Sequence, residues 1–174
     1  MKHSIRVAGF ALFTALSLSA CGPSEEDKQK QAAAAAEAER LKPVPMPTDA
    51  TNKSAWQTYL GKVVMNNMQG VKTNHPYLYL VPSGDGQDQQ DQRKNQLDNV
   101  TTAVQRGVLP GNMMAFGGPD SKLTADLIID AFKAAQDGSF KGVVVLFVGA
   151  QADSDRVKDG ISKSGAEYRF VEMK

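Results

Sequence analysis

The chain has 174 residues, with 20 Lys and Arg, 19 Asp and Glu and a single cysteine. The net charge at pH 7 is +1. From residue 52 onward there are fourteen Lys and Arg side chains and thirteen Asp and Glu side chains, so positive and negative charges nearly cancel. This near-neutrality argues against nucleic acid or another polyanion as a partner. One cysteine excludes an internal disulfide, so the stability of a folded domain must come from its hydrophobic core.

The N-terminus has the parts of an export signal. Lys2, His3 and Arg6 give it a positive start, and an apolar stretch follows that is too short to span a bilayer as a helix. Small residues then lead to Cys21. We therefore expect residues 1–20 to be a cleaved signal peptide and not a membrane anchor.

The tetrapeptide Leu-Ser-Ala-Cys at 18–21 resembles the lipobox of bacterial lipoproteins, whose cysteine is diacylated, freed by cleavage and acylated again. The resemblance covers only this N-terminal region and implies covalent lipid on Cys21. Gly22 stands where an aspartate favours the inner membrane in that family, so the resemblance implies the periplasmic face of the outer membrane. Several acyl chains, at about 0.8 kcal/mol per methylene, make such an anchor effectively permanent. The alternative is an ordinary secretory signal that leaves Cys21 as a free thiol.

Residues 21–50 have the composition of a tether. The stretch 23–42 is rich in alanine and charge without a wide apolar face, which is typical of a solvated helix. Alternating prolines over 43–47 favour an extended polyproline II path. At about 1.5 Å per helical residue and 3.1 Å per extended residue, such a tether reaches tens of ångströms from the membrane. A simple stalk and a helix that binds a partner both remain open.

Residues 51–174 show the pattern of one domain in which helices and strands alternate. Apolar spacing predicts helices over 54–68, 88–106, 123–138 and 153–163, and apolar runs predict strands over 77–81, 113–116, 143–148 and 168–173. This order predicts an α/β fold, a small three-layer sandwich with a mainly parallel four-stranded sheet, preceded by an N-terminal helix. An antiparallel last strand at the edge is the alternative, and the pattern does not predict the strand order.

Carboxylates follow the first three predicted strands. Ligands of parallel sheets gather beyond the carboxyl ends of the strands, so Asp85, Asp120, Asp153 and Asp155 could face one crevice. Hard oxygen ligands from several loops suit Mg²⁺ or Ca²⁺. The alternative is that Asp120 and Asp153 cap their helices, because an aspartate at a helix N-terminus accepts hydrogen bonds from free backbone N–H groups.

Gly117 and Gly118 stand directly before a predicted helix, where backbone amides could approach an anion such as a phosphate. Their spacing matches neither a P-loop nor a dinucleotide fingerprint, and a tight turn from strand to helix is the alternative. The polar segment 82–93 is predicted to be an exposed, mobile loop, either for binding or as a connector. His75 lies at the opposite end of the first strand from these loops, so we expect no Ser-His-Asp triad.

These features favour a non-enzymatic lipoprotein, tethered to a membrane, whose domain binds another envelope protein as an assembly accessory or an inhibitor. The lipid on Cys21 is then the only bound group expected. The alternative is an enzyme or small-ligand binder that uses the carboxylate crevice, with a divalent cation. Convergence of the four aspartates would favour the enzyme, whereas dispersed aspartates and an apolar patch would favour the binding module.

Overall fold

A computed structural model describes residues 24–40 and 45–174. The predicted signal peptide, the predicted lipidation site Cys21 and residues 41–44 of the predicted tether lie outside the described residues. Helix α1 (Glu25–Arg40) corresponds to the predicted solvated helix, and those of its side chains that the structure describes are exposed. Ser24 Oγ accepts a hydrogen bond from the backbone N–H of Asp27 at 3.1 Å, which caps the start of the helix.

The eight elements predicted for the domain are all present, and their ends lie within two residues of the prediction except at one helix. The helix predicted over 123–138 ends at Phe132, six residues earlier than expected. Their bounds are α2 (Lys53–Asn66), β1 (Tyr77–Leu80), α3 (Gln87–Arg106), β2 (Met113–Gly117), α4 (Ser121–Phe132), β3 (Val144–Gly149), α5 (Gln151–Ile161) and β4 (Glu167–Glu172).

The four strands lie in the order β1-β2-β3-β4, and every neighbouring pair is parallel. Because each crossover moves the chain in the same direction, right-handed connections place α3, α4 and α5 on one face of the sheet. Helix α2 covers the other face. The three-layer α/β prediction is therefore confirmed, and the alternative of an antiparallel last strand is wrong.

Each face of the sheet has its own hydrophobic core. On one face α3, α4 and α5 pack against alternate residues of the strands, and Phe116 and Phe147 are fully buried there. On the opposite face α2 buries a stripe of apolar residues at helical spacing, against alternate residues of the two central strands. The side chains of this second core are Trp56, Tyr59, Leu60, Val63, Val64, Met113, Ala115, Val144, Leu146 and Val148. Met46 also packs against it, so contacts with the core begin ahead of residue 51.

The segment after β1 is more ordered than the sequence suggests. The prediction of a mobile loop over 82–93 is wrong for its second half, because α3 begins at Gln87. Arg93 Nη1 donates to the carbonyl oxygens of Pro82 at 3.1 Å and Gly84 at 2.7 Å, so a side chain of the helix holds the loop that precedes it. The polar residues that suggested a loop form an exposed face of the helix.

Arg169 of β4 fastens the end of α2 to the sheet. Its guanidinium donates to the carbonyl oxygens of Asn67 at 2.5 Å and Gln69 at 2.7 Å, and to Glu167 Oε1 at 2.8 Å. Asn67 is the residue that closes α2. One side chain thus satisfies acceptors that the end of a helix leaves open.

The substitution Arg169→Met should lower the free energy of unfolding by about 2 kcal/mol, because two backbone carbonyls lose charged donors while the apolar stem is kept. Urea denaturation followed by circular dichroism measures this loss. Arg106→Met, exposed at the end of α3, is the matched control and should change stability by about 0.5 kcal/mol or less. Equal losses in both variants would contradict the role given to Arg169.

Candidate functional site

The predicted crevice lies where the parallel strands end, since its carboxylates all lie in loops or early helical turns that follow strands at that edge. The structure gives these carboxylates separate roles. Asp120 caps α4, with a side-chain oxygen that accepts a hydrogen bond from the backbone N–H of Leu123 at 2.9 Å. The capping interpretation is confirmed for this residue.

Asp153 holds the starts of α4 and α5 together. Its Oδ2 accepts a hydrogen bond from Ser121 Oγ at 2.5 Å, and its Oδ1 accepts one from Arg156 Nε at 2.8 Å. Ser121 Oγ in turn accepts from the backbone N–H of Ala150 at 2.7 Å. The capping interpretation is wrong for Asp153, because the N-cap position of α5 is Ala150 and the carboxylate bonds to side chains instead.

Arg156 extends this network to a second carboxylate. Its Nη1 donates to Asp126 Oδ1 at 2.6 Å, and Lys122 Nζ lies 3.0 Å from the other oxygen of the same carboxylate. Partial burial acts to raise the pKa of Asp126, but the hydrogen bonds from Arg156 and Lys122 outweigh it and hold that pKa below its usual value. The cluster is thus a neutralised ionic contact between two helices.

Asp85 and Asp155 are both exposed. The backbone carbonyl of Asp85 accepts a hydrogen bond from Gln90 Nε2 at 2.7 Å, whereas Asp155 lies on the first turn and a half of α5. Across residues 24–40 and 45–174, no three acidic, histidine or cysteine side chains group closely enough to hold a metal ion. The geometry therefore lends no support to a cation shared by the four predicted carboxylates.

Gly117 and Gly118 allow close packing. A Cβ atom on Gly117 would lie 2.4 Å from Leu60 Cδ2, and one on Gly118 would lie 2.3 Å from the carbonyl oxygen of Val81. Neither glycine has a positive φ, so the turn does not require glycine for its backbone angles. The pair instead lets α2 and β1 approach β2, a role that the sequence pattern does not reveal.

The two edges of the sheet differ in charge. The edge strand β4 carries Glu167, Arg169 and Glu172, and charged side chains of this kind protect an edge from pairing with another chain. The other edge strand, β1, has the uncharged sequence Tyr-Leu-Tyr-Leu. Tyr77 and Leu78 are 48% and 37% exposed. The β1 edge therefore lacks the protection that β4 has.

Part of the β1 edge is covered by α3. The backbone N–H of Val81 donates to the carbonyl oxygen of Gly117 at 2.8 Å, so the alternation of a parallel ladder directs the backbone groups of Leu78 and Leu80 away from β2. Gln96 Nε2 donates to the carbonyl oxygen of Leu80 at 3.0 Å. No described residue gives Leu78 such a partner, so the amino half of the edge stays open.

A cleft of about 210 Å³ lies at the other end of β1, and the sequence pattern does not predict it. It forms between residues 50–56 and the first turns of α3, which are separated in the chain by β1. Lys53, Gln89 and Gln92 contribute to its polar lining. These residues are neighbours because of how α2 packs on the sheet, which the sequence pattern does not reveal.

Comparison with protein-family models, with curated proteins and with solved structures found no match to this chain. Among the helices of the described residues, none combines the length and the apolar character that crossing a membrane requires.

The role of Gly118 predicts a large effect from one added methyl group. Gly118→Ala should lower the free energy of unfolding by about 2 kcal/mol or more, because the new Cβ meets a backbone oxygen that cannot rotate away. Gly61→Ala, in the middle of α2 with nothing within 4 Å of the new Cβ, is the control and should raise stability by about 0.5–1 kcal/mol. Urea denaturation of both variants measures these changes. An unchanged free energy of unfolding in Gly118→Ala would refute the packing role.

The ionic contact at Asp126 predicts a pH-dependent contribution to stability. Because its pKa is lowered on folding, the contribution is fully present above the unfolded value of about 3.9 and is lost as the pH falls through the lowered folded value. Asp126→Asn should therefore lower the free energy of unfolding by about 0.5–1 kcal/mol at pH 7, a modest loss because the ion pair is partly exposed. The loss should become smaller as the pH falls below about 4.

Urea denaturation at several pH values tests this expectation. Asp159→Asn, exposed on α5, is the matched control and should have little effect at any pH. A constant difference between Asp126→Asn and the unchanged protein from pH 7 to pH 3 would contradict the assignment.

Proposed function

We propose that this protein is a lipoprotein of the bacterial envelope, anchored through lipid on Cys21 at the periplasmic face of the outer membrane. Its α/β domain binds another envelope protein, as an assembly accessory or an inhibitor. The observation that carries the proposal is the open, uncharged edge of β1 at Tyr77 and Leu78.

An extended segment of the partner pairs with this edge as an added strand. Such pairing draws affinity from main-chain hydrogen bonds, which the outward backbone groups of Leu78 can supply. Successive side chains of a strand point to opposite faces, so Tyr77 and Leu78 offer one apolar contact on each face of the extended sheet. Because the β4 edge carries charged side chains, the partner strand is expected to pair with β1 and not with β4.

The roles of the aspartates also support a binding module over an enzyme. Asp120 is committed to capping a helix, and Asp153 to a contact with Arg156 and Ser121. These interactions explain both carboxylates through folding alone. A lipid anchor and a tether suit a protein that acts by holding a partner near a membrane.

Photo-crosslinking in the native bacterium tests the proposal. The full-length protein, with p-benzoylphenylalanine in place of Tyr77, should form one main crosslink to a single envelope protein, identified by mass spectrometry. Leu78→Lys should reduce that crosslink about tenfold or more, because a lysine on β1 beside the added strand leaves an unpaired charge in the contact. Cys21→Ala should remove the protein from the membrane fraction and weaken the crosslink.

Gln105→Lys is the matched control, since it adds the same charge at an exposed position of α3. It should leave the crosslink unchanged. Equal yields from Leu78→Lys and the unchanged protein would reject the β1 edge as the docking surface. Thermal unfolding of both lysine variants, expected to be unchanged, separates a binding defect from a folding defect.

A further inference from the structure

The cleft at the carboxyl end of β1 is a second surface, distinct from the open edge at Leu78. Trp56, Leu80 and Val81 form its apolar wall, and Pro82 and Pro119 also line it. Its volume of about 210 Å³ is smaller than the roughly 300–1,000 Å³ that holds a drug-sized molecule. It therefore suits a ligand the size of one or two amino-acid residues.

Four polar side chains of the cleft are free for a ligand, whereas the hydroxyl of Thr51 is bonded to Asp49. Lys53, Ser83, Gln89 and Gln92 line it, and their side chains make no hydrogen bond or ion pair with any described residue. Gln96, a third glutamine on α3, differs from Gln89 and Gln92 because its Nε2 is bonded to the carbonyl oxygen of Leu80. The two cleft glutamines keep their amide donors and acceptors available.

The charge of the lining favours an anion. Among the described residues that line the cleft, Lys53 is the only charged one and none carries a carboxylate. Among the aspartates near these residues in the sequence, Asp49 accepts hydrogen bonds from the backbone and hydroxyl of Thr51 at 2.8 and 2.7 Å, and Asp120 caps α4. Asp91 accepts one from Gln87 Nε2 at 2.9 Å, and Asp85 and Asp88 are exposed outside the lining. The lysine charge is thus left for a group from outside the chain.

We propose that this cleft binds the C-terminal residue of a peptide. The carboxylate pairs with Lys53, the preceding amide bonds to Gln89 and Gln92, and a small apolar side chain contacts the wall at Trp56. Glutamine amides both donate and accept, as recognition of a peptide bond requires. The inference does not rest on the proposed function, because the cleft and the open edge of β1 use different residues.

Titration of the full-length protein in detergent with acetyl-Ala-Ala tests the inference. Trp56 is the only tryptophan in the chain, so its fluorescence should change in a saturable way, and isothermal titration calorimetry measures the same affinity without relying on it. The C-terminal amide of the same peptide should bind about tenfold more weakly or worse, since it lacks the charge-assisted hydrogen bond.

Substitution of the lysine gives the second arm of the test. Lys53→Gln should weaken binding of acetyl-Ala-Ala about tenfold, whereas Lys62→Gln, exposed on the same helix and outside this cleft, should not change it. Both lysines are exposed, so both variants should fold. Leu78→Lys should bind the peptide with unchanged affinity. This variant therefore distinguishes a loss of binding in the cleft from a loss of binding at the β1 edge.

Four results would each overturn the inference, the first three being no binding of acetyl-Ala-Ala by either method, equal affinity for the acid and the amide, and equal affinity in the two lysine variants. Propionate, which has the carboxylate without the amide, provides the last comparison. Binding of propionate as tightly as the peptide would reduce the cleft to a general anion site and would also reject the proposal.

Discussion

The structure depends on a single helix covering the centre of one face of the sheet. Strands that follow one another in sequence order, all parallel, send every right-handed crossover to the same side. Helices α3, α4 and α5 therefore shield one face, and nothing in the βα repeat shields the other. Helix α2, which precedes the sheet in the chain, supplies that cover with Trp56, Leu60 and Val64.

Helix α2 has to be held in place from several directions because it is alone. The glycine at 117 allows Leu60 to descend onto β2, and Arg169 fixes the carbonyls where the helix ends. At its start, Trp56 Nε1 donates to the carbonyl oxygen of Asp49 at 3.1 Å, which joins the helix to the segment before it. These contacts come from different parts of the chain, but all of them act on α2. Loss of any one would therefore weaken the packing of α2 on the sheet.

The width of one helix also explains where the uncovered surfaces lie. A helix with its side chains is about 10 Å across, whereas four strands at about 4.8 Å spacing are nearly twice as wide. Helix α2 therefore covers the central strands and leaves both edges partly bare. On β4 the bare edge is filled by charged side chains, among them Arg169 and Glu167. On β1 it is left apolar at Leu78, and the gap between α2 and α3 becomes the cleft at Lys53.

The elements of this fold could be predicted from the sequence, because each has a clear apolar period or run. The cap at Asp120 was also foreseeable, since it is a local interaction within three residues. Strand order, the packing role of Gly118 and the partners of Asp153 were not, because they depend on which distant segments meet. The cleft escaped prediction for the same reason, as Lys53 and Gln89 become neighbours only through the placement of α2.

The start of the domain connects these surfaces to the proposed tether. Met46 packs into the core beneath α2, and Asp49 is fixed by its hydrogen bonds with Thr51 and Trp56. The chain is thus held against the domain from residue 46, a few residues before Lys53 at the rim of the cleft. A pull on a membrane tether would act on this segment first. Because Ala50, Thr51 and Lys53, which follow directly, line the cleft, a bound ligand there would stabilise the point at which the proposed tether joins the domain.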